Sequence, residues 1–309
     1  MKKDIKNMKV AVLGGGPGSE REVSLASAAA VVEALRGEVA GVELVDVSGA
    51  GFDLPVDTDV AFNVIHGTYG EDGELQAELE SQGIIYTGAR ELSSRLAFDK
   101  VESKKRFVER GVATPAGCTL TAQSERPADV SYPCVLKPPS EGSSVGVHIV
   151  ESAEQWDAAL ADAAQYGDTV LFEQYIKGKE LTVGVVGDEV LPVIHIEPRS
   201  GFYDMKNKYP WLLNDGGTDY HCPADLPAEV TQQVQELAWQ AHCSLGVEVY
   251  SRVDLLLDED NQPYVLELNT IPGMTESSLL PKAAKEANYS FSSLCLKIIE
   301  ISVIIRESV

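Results

Sequence analysis

The chain has 309 residues, of which 44% are hydrophobic, so it can bury a substantial core and is long enough for two or three domains. Its 25 Lys and Arg residues are outnumbered by 48 Asp and Glu residues, which gives a formal net charge of -23. This acidic balance argues against nucleic acid as a partner and against docking on an anionic membrane. A small anionic ligand held by a few local lysines remains compatible with it.

The cysteines and the N-terminal region predict the compartment. The five cysteines are scattered and contain no CxxC pair, which favours reduced thiols over a zinc ribbon or a redox motif. The first apolar run, Val10–Leu13, is far shorter than the roughly 7–15 residues of a signal-peptide core. No stretch approaches the roughly 18 apolar residues of a membrane span. A cytoplasmic protein is therefore expected.

Strands that alternate with helices predict a parallel α/β sheet in about the first hundred residues. Gly37 follows the first helical pattern and is a typical stop signal. The predicted strands are Val10–Leu13, Val42–Val47, Val60–Ile65 and Ile84–Tyr86, and the predicted helices are Arg21–Arg36 and Glu74–Ser81.

Two further units are expected after Asp99. The second is predicted to contain a helix at Lys100–Arg110 and strands at Cys134–Lys137 and Val170–Gln174. The third is predicted to contain strands at Leu181–Val186 and Val190–Glu197, a helix at Glu229–Cys243, and a hairpin of Val249–Leu257 with Tyr264–Asn269.

Two segments do not fit an ordinary element. The polar stretch Pro198–Pro223 is too long for a simple connection, and such loops are usually functional lids or disordered. It carries Lys206, Lys208 and Tyr209, which could close over an anionic ligand. The aliphatic tail, Ile299–Val309, is expected to dock as a terminal helix or to contact a partner.

A glycine-rich loop follows the first strand. Ser19 stands where a dinucleotide-binding loop would have its third glycine, and no P-loop lysine follows, so the loop alone is a weak signal for nucleotide binding. Glu20 lies where this loop meets the helix. Its carboxylate either caps the helix N-terminus or holds the ammonium group of a ligand at the sheet edge.

The hairpin carries the strongest local signal for chemistry. Arg252 and Asp254 share one face of their strand, and Glu267 and Asn269 share one face of the partner strand. Val253, Leu255, Leu266 and Leu268 are expected on the opposite, core side. Carboxylate and amide oxygens suit a hard cation such as Mg²⁺, and the alternative is a solvated polar face.

The loop after the strand Cys134–Lys137 predicts a phosphate site. Gly142 and Gly146 allow backbone amides to approach an anion, and Ser143 and Ser144 add hydroxyl donors beside Lys137. The alternative is a surface turn.

Two other strand ends are candidates. Glu173, Tyr175 and Ile176, followed by Glu180, lie at the junction of two units, where main-chain groups could read an adenine edge and a carboxylate could meet ribose hydroxyls. His66 ends a strand of the first unit and is either structural or part of the site.

Several of these segments, in this order, resemble the D-alanine–D-alanine ligase family of the ATP-grasp superfamily, from about Lys9 to about Glu300. The segment Glu267–Thr275 is the most specific of them. The full set is Ser19–Ser24, His66–Gly73, Lys137–Gly146, Phe202–Tyr209, Arg252–Asp254, and Glu267–Thr275 with Ser278 and Leu279.

The resemblance implies a three-domain ATP-grasp architecture of mixed α/β and α+β class, with an N-terminal parallel-sheet, Rossmann-like domain. The expected domains are 1–98 for substrate binding, 99–183 as the central subdomain, and 184–309 with the metal site and the lid. It also implies ATP and Mg²⁺, with Mn²⁺ able to substitute, D-alanine as the substrate, and a homodimer in the cytoplasm that takes part in peptidoglycan synthesis.

The resemblance also implies a role for each site residue. The catalytic group comprises Glu20, Ser143, Tyr209, Arg252 and Gly273, where Arg252 and the Gly273 amide form an oxyanion hole. The second substrate is bound by Ser278 and Leu279, and His66 lies near the first. The nucleotide is bound by Lys100, Lys137, Ser144, Glu173, Tyr175, Ile176, Glu180 and Lys208, and the metal by Asp254, Glu267 and Asn269.

Two other functions stay open at this stage. One is an ATP-grasp ligase for another substrate, such as a pair of D-alanine and D-lactate, against which Tyr209, Ser278 and Leu279 argue. The other is a regulatory nucleotide-binding protein without catalysis, against which the intact set of Arg252 and the three metal candidates argues.

Overall fold

The computed structural model describes residues 4–140, 142, 144–199, 203, 207 and 217–307, and these form three sheets with flanking helices. The sheets follow one another along the chain. The boundary expected between residues 183 and 184 falls inside one strand, Gly178–Val186, and the division into three domains stays a prediction.

The first sheet is parallel, as the alternating pattern predicts. Its strands β1 (Lys9–Gly15), β2 (Gly41–Val47), β3 (Val60–Asn63) and β4 (Ile85–Tyr86) lie in the order β2-β1-β3-β4. Helices α1 (Arg21–Leu35), α2 (Glu74–Ser81) and α3 (Glu91–Phe98) accompany it. The carboxyl ends of β1 and β3 meet at one edge, so the loop before Glu20 and the loop at His66 lie side by side there.

The second unit contains the strands β5 (Gly117–Leu120), β6 (Cys134–Lys137), β7 (His148–Val150) and β8 (Val170–Gln174), and the helices α4 (Lys100–Glu109) and α5 (Ala153–Ala163). Its sheet is antiparallel, with the order β5-β8-β6-β7. Trp156 on α5 is almost fully buried and packs beside Phe172 of β8, which fixes this helix on the sheet.

The third sheet contains the hairpin, and its strands are β9 (Gly178–Val186), β10 (Glu189–Val190), β11 (Ile194–Pro198), β12 (Thr218–His221), β13 (Tyr250–Asp258) and β14 (Pro263–Asn269). They lie in the order β12-β11-β9-β13-β14, with β10 paired to β9. Helix α6 (Ala228–Ser244) buries Val234, Ala238 and Ala241 against this sheet.

Two C-terminal helices, α7 (Leu279–Glu286) and α8 (Phe291–Glu307), join the third sheet to the first. The aliphatic tail therefore does form a docked helix: Leu294, Ile298 and Val303 are buried in one cluster with Val10 and with core residues of both units. Among the described residues no single helix is long and apolar enough to cross a membrane. The pair α7 and α8, bent by 101°, passes that test only jointly.

Two sequence predictions in the third unit need correction. A β-bulge between Asp254 and Leu255 shifts the hairpin register, so Leu255 faces Val265. Val265 is buried in the core, whereas Leu266, expected on the core side, lines a cavity on the other face. The polar stretch Pro198–Pro223 is also not all loop, because it contains strand β12.

The end of α8 is fastened to the first sheet through Arg306. Its guanidinium lies 3.8 Å from the centroid of the Tyr86 ring and donates a 2.9 Å hydrogen bond to the Gly88 carbonyl. Replacing Arg306 with methionine should therefore lower the free energy of unfolding by about 1–2 kcal/mol. Chemical denaturation measures this, and Lys297→Met, which removes an exposed lysine of the same helix, is the control. Equal stabilities of the two variants would contradict the assignment.

Candidate active site

Two cavities open side by side between the units and share the side chains of Lys100, Tyr203 and Glu267. The first, of about 400 Å³, is lined by the predicted residues Glu20, His66, Lys100, Arg252, Glu267, Asn269, Gly273, Ser278 and Leu279. The second, of about 500 Å³, is lined by Lys100, Lys137, Ser144, Glu173, Tyr175, Ile176, Glu180, Asp254 and Glu267. Every described residue of the predicted site therefore lines one cavity or both.

The hairpin brings its polar groups together as the alternation predicts. Arg252 donates to both carboxylate oxygens of Asp254, at 3.0 and 2.7 Å, and the Asn269 amide donates to Asp254 at 3.1 Å. Thr182 on β9 donates to the same carboxylate at 2.6 Å. Sequence reasoning missed Thr182, because its contact depends on β9 pairing with β13. The buried carboxylate of Asp254 thus accepts hydrogen bonds from three side chains.

Burial favours the neutral form of the Arg252 guanidinium and acts to lower its pKa. The paired Asp254 carboxylate outweighs burial and holds the pKa of Arg252 above its usual value. The guanidinium therefore stays protonated at every physiological pH. Since Arg252 also lines the first cavity, it presents a fixed positive charge there.

Lys100 and Glu267 mark the junction of the two cavities. The Lys100 ammonium lies 3.0 Å from the Glu267 carboxylate, and both side chains are mostly buried. Lys100 begins helix α4, whose N-terminus is capped by the Asp99 side chain. A ligand that spans both cavities would pass this ion pair.

A buried charge triad forms one wall of the second cavity. The two carboxylate oxygens of Glu173 lie 2.6 Å from the ammonium groups of Lys104 and Lys137. Burial opposes the charge of Glu173, but the two lysines outweigh it and lower its pKa. The sequence pattern missed Lys104, although its spacing of four from Lys100 on α4 could have indicated a shared face. Adenine contact by Glu173 stays a prediction.

The rest of the second cavity suits a flat aromatic ring with a polar edge. Val135 and Ile149 come from the second sheet and Leu256 and Leu266 from the third, and all four line the cavity. A planar base between two apolar walls would bury both of its faces. The hydroxyl of Ser144 donates at 2.9 Å to the carbonyl of Tyr203, which ties the glycine-serine loop to the other side of the cavity.

Glu20 lies against two loops in the first cavity. In the part of the chain that the structure describes, its side chain makes no capping hydrogen bond to α1, which disfavours the capping interpretation. A Cβ on Gly142 would be 2.9 Å from the Glu20 carboxylate, so glycine permits this close approach of the loop. Glu20 also lines the first cavity.

His66 is held in one tautomer. Its Nδ1 lies 2.8 Å from the Ile271 carbonyl, which can only accept, so Nδ1 carries the proton. Nε2 therefore accepts from the Ser27 hydroxyl at 3.0 Å. Burial lowers the pKa of His66 despite the opposing effect of Glu20, so the ring is neutral and its nitrogens are both used. This favours an orienting role at the cavity wall over proton transfer.

Glu71 is a cavity residue that sequence reasoning did not single out. Burial, reinforced by the nearby charge of Glu20, raises its pKa to about 8. One of its oxygens accepts from the Gly67 amide at 3.0 Å and lies 4.0 Å from His66 Nδ1. Only the acidic sequence after His66 could have indicated it.

This raised pKa makes a prediction for stability against pH. Between pH 4.5, the ordinary pKa of a glutamate, and about pH 8, the folded chain keeps the Glu71 proton and the unfolded chain loses it. The free energy of unfolding therefore falls as the pH rises through this range. The contribution of Glu71 to the slope reaches about 1.4 kcal/mol per pH unit. In Glu71→Gln this loss should disappear, so that the variant is more stable than the parent at pH 8. Denaturation across this range measures it, with the exposed Glu33→Gln as control, and parallel curves for parent and Glu71→Gln would contradict it.

Gly273, Ser278 and Leu279 form the far end of the first cavity. The Ser278 hydroxyl lies 2.8 Å from the Thr275 hydroxyl and accepts from the Thr275 amide at 3.1 Å. A Cβ on Gly273 would be 2.9 Å from that hydroxyl, so glycine lets the backbone approach it. Leu279 begins α7, is almost fully buried and adds an apolar surface beside these polar groups.

Three predicted residues, Ser143, Lys208 and Tyr209, lie outside the described residues, as does Lys206 of the expected lid. Two described residues of the Pro198–Pro223 segment, Tyr203 and Asn207, are held by hydrogen bonds. Tyr203 shares a 3.0 Å hydrogen bond with the Tyr220 hydroxyl, and the Asn207 side chain accepts from the Gly217 amide at 3.1 Å.

Known proteins are similar to this chain over most of its length. Residues 52–89 match the family described as D-ala D-ala ligase N-terminus, and residues 111–300 match its C-terminus. A D-alanine--D-alanine ligase of Methylacidiphilum infernorum is 44% identical over 293 residues, which is 95% of each chain. That of Geobacter sulfurreducens is 43% identical over 306 residues, 96% of this chain and 94% of the relative.

Solved structures agree with these sequence relatives. The D-alanine--D-alanine ligase of Bacillus anthracis complexed with ATP has a TM-score of 0.81 and 32% identity, and it covers 97% of this chain and 99% of its own. The VanG D-Ala:D-Ser ligase of Enterococcus faecalis has a TM-score of 0.83 and 30% identity, with 96% and 99% covered. Two family models match the chain, its relatives align with it over nearly the whole length, and the solved structures share its ATP-grasp fold. The chain therefore belongs to the D-alanine–D-alanine ligase family.

Proposed function

We propose that this chain joins two D-alanine molecules to D-alanyl-D-alanine at the expense of ATP, and so supplies a precursor of peptidoglycan. The observation that carries the proposal is the ion pair of Lys100 and Glu267 at the meeting point of two cavities. One cavity suits a nucleotide, with apolar walls and lysines. The other suits amino acids, with a carboxylate at one end and hydroxyl and amide donors at the other.

In the first step, a carboxylate oxygen of the first D-alanine attacks the γ-phosphorus of ATP, and the bond to ADP breaks. The product is D-alanyl phosphate. Glu20 would hold the ammonium group of this D-alanine, beside the orienting ring of His66. Both reactants are anionic, so their approach requires nearby positive charge, which Lys100, Lys137 and Arg252 supply. Lys208 is assigned to the same task on the family resemblance.

The residues present fit a hard divalent cation. Asp254, Glu267 and Asn269 offer carboxylate and amide oxygens on one face of the hairpin, which is the ligand chemistry of Mg²⁺, with Mn²⁺ as a substitute. When bound, such a cation neutralises phosphate charge. Arg252 and Lys100 pair with these carboxylates in the structure, so they hold the carboxylates in position before a cation binds.

In the second step, the deprotonated amine of the second D-alanine attacks the carbonyl carbon of D-alanyl phosphate. The tetrahedral intermediate collapses, the bond to phosphate oxygen breaks, and the dipeptide and phosphate are released. Arg252 and the Gly273 amide would donate to the oxyanion, which for a single donor is worth roughly 3–4 kcal/mol in related chemistry. Ser278 would bind the carboxylate of the second substrate.

The choice of second substrate follows from the apolar part of the first cavity. Leu279 would pack on the methyl group of D-alanine, and its apolar surface offers no hydrogen bond to the hydroxyl of D-serine. The VanG D-Ala:D-Ser ligase shares the fold, so D-serine is the alternative to test. Ser143 and Tyr209 are assigned to a network with Glu20 on the family resemblance, and Tyr209 favours D-alanine over D-lactate.

The test is release of ADP from ATP and Mg²⁺ with D-alanine, L-alanine, D-alanine plus D-serine, or D-alanine plus D-lactate, with products identified by mass. Release with D-alanine alone, yielding the dipeptide, is expected. A mixed product formed in preference to the dipeptide would overturn the substrate assignment. ATP binding without ADP release in any mixture would favour a regulatory protein.

We also propose the cellular compartment, the partners and the oligomeric state of the enzyme. The acidic composition and the reduced thiols support a cytoplasmic enzyme with small-molecule partners and neither nucleic acid nor membrane. The homodimer rests on the family resemblance, and sedimentation equilibrium would measure it.

A further inference from the structure

Strands β11 and β12 carry two histidines and a glutamate on one face. His195 of β11 pairs in register with His221 of β12, and Glu197 follows His195 by two residues on the same strand. The ligand atoms of these three side chains all lie within 4.8 Å of one another. His221 Nε2 is already 3.0 Å from a Glu197 oxygen, and the two imidazole rings are 5.6 Å apart between centroids.

We propose that His195, Glu197 and His221 form a binding site for a transition-metal ion of the Zn²⁺ class. The site lies at the edge of the second cavity, which His195 and Glu197 line, and shares no ligand with the Mg²⁺ site on the hairpin. Two imidazoles and a carboxylate are the ligand set of a zinc ion that keeps a fourth position for water. Imidazole ligands disfavour Mg²⁺ and Ca²⁺, which prefer oxygen.

The geometry requires only small movements. Zinc bonds of about 2.0–2.1 Å place neighbouring donors roughly 3.3 Å apart in a tetrahedron. The Glu197–His221 pair is already near this separation, and rotation of the partly exposed side chains brings in the third donor. The backbone needs no change, because register pairing and the two-residue repeat of a strand already direct all three to one face.

Neighbouring charges leave the site accessible to a cation. Arg199, which directly follows β11, is paired with Asp219 through hydrogen bonds of 3.1 and 2.8 Å. Burial and, less strongly, the charge of Lys179 on β9 lower the pKa of His195, and the charge of Glu197 opposes this shift. Glu197 therefore supplies the negative charge that a divalent ion needs.

The site joins the strands that flank residues 199–217. Because β11 ends at Pro198 and β12 begins at Thr218, a metal bound across them would link the two ends of that segment. A bound ion stabilises the folded chain by an amount that grows with the logarithm of its concentration relative to its Kd. Zinc should therefore raise the midpoint of thermal unfolding.

The test is calorimetric titration of the full chain with zinc chloride in millimolar Mg²⁺. One zinc ion per chain is expected, with a raised unfolding midpoint, and His221→Gln should weaken binding at least about tenfold. Glu197→Gln should weaken it likewise, so the result does not depend on one variant. The matched control is His148→Gln, which removes a histidine that pairs with a carboxylate, Asp162, at 2.7 Å and should bind zinc as the parent does.

Cobalt provides a second measurement, because its spectrum reports the ligands. The parent should give the visible bands of a tetrahedral ion with nitrogen and oxygen ligands. A thiolate charge-transfer band, which would indicate Cys222 or another cysteine, would overturn the proposal. So would zinc affinity that is unchanged in both His221→Gln and Glu197→Gln, or the absence of zinc binding in the parent.

Discussion

Glu267→Gln is expected to lower turnover at least about a hundredfold while leaving the fold intact. Glu267 stands at the junction of the cavities, 3.0 Å from Lys100, and the substitution removes its charge but keeps its size. Lys100 then loses its anionic partner and the proposed cation loses a ligand. Half-saturating Mg²⁺ should rise together with the fall in turnover, and steady-state kinetics over a Mg²⁺ series measures both.

The matched control is Glu259→Gln in the turn of the same hairpin. Glu259 is exposed and pairs with Lys177 at 2.7 Å, and neither residue lines a cavity. It should behave as the parent in both respects. Near-normal turnover of Glu267→Gln with an unchanged Mg²⁺ requirement would show that the metal assignment is wrong.

Arg252→Met should affect both chemistry and stability. The guanidinium is a proposed oxyanion donor, so turnover should fall by about 10²–10³. Its loss also leaves the buried Asp254 carboxylate without its cationic partner, which costs about 3–5 kcal/mol when a buried pair is broken. Thr182 and Asn269 still donate to Asp254 and should keep the cost toward the lower end.

Two further variants separate these effects. Arg252→Lys keeps the charge but not the two-pronged geometry, so it should recover more stability than turnover. Arg106→Met removes an exposed arginine paired with Glu109 on helix α4 and should change stability by no more than about 0.5 kcal/mol. If Arg252→Lys restored turnover fully, a positioned guanidinium would not be needed for the oxyanion.

Residues on single elements were the most predictable part of the site. The two-residue repeat of a strand places Arg252 beside Asp254 and Glu267 beside Asn269. In the structure Arg252 and Asn269 both donate to Asp254, and Glu267 lies opposite Asp254 in the hairpin register. The parallel sheet and the docking of the aliphatic tail were likewise predicted from local patterns. In each instance the relevant interaction is set by periodicity along one segment or by one short turn.

Features that depend on pairing between distant segments were not predicted. The bulge beside Asp254 turns Leu266 from the core into the second cavity, and no residue type in that strand indicates it. The Lys104–Glu173 pair requires α4 to lie against β8, and the contact of Thr182 with Asp254 requires β9 to pair with β13. These partners are separated by about 70 residues of sequence, where composition carries no information about contact.

The most direct test of the proposed chemistry follows an oxygen atom. If the carboxylate of the first D-alanine attacks ATP, one of its oxygens must leave with the phosphate. D-alanine labelled with oxygen-18 in its carboxylate should therefore give phosphate that carries one labelled oxygen for each dipeptide formed, as measured by mass spectrometry. Dipeptide formed together with unlabelled phosphate would contradict a D-alanyl phosphate intermediate and the facing arrangement of the two cavities on which it rests.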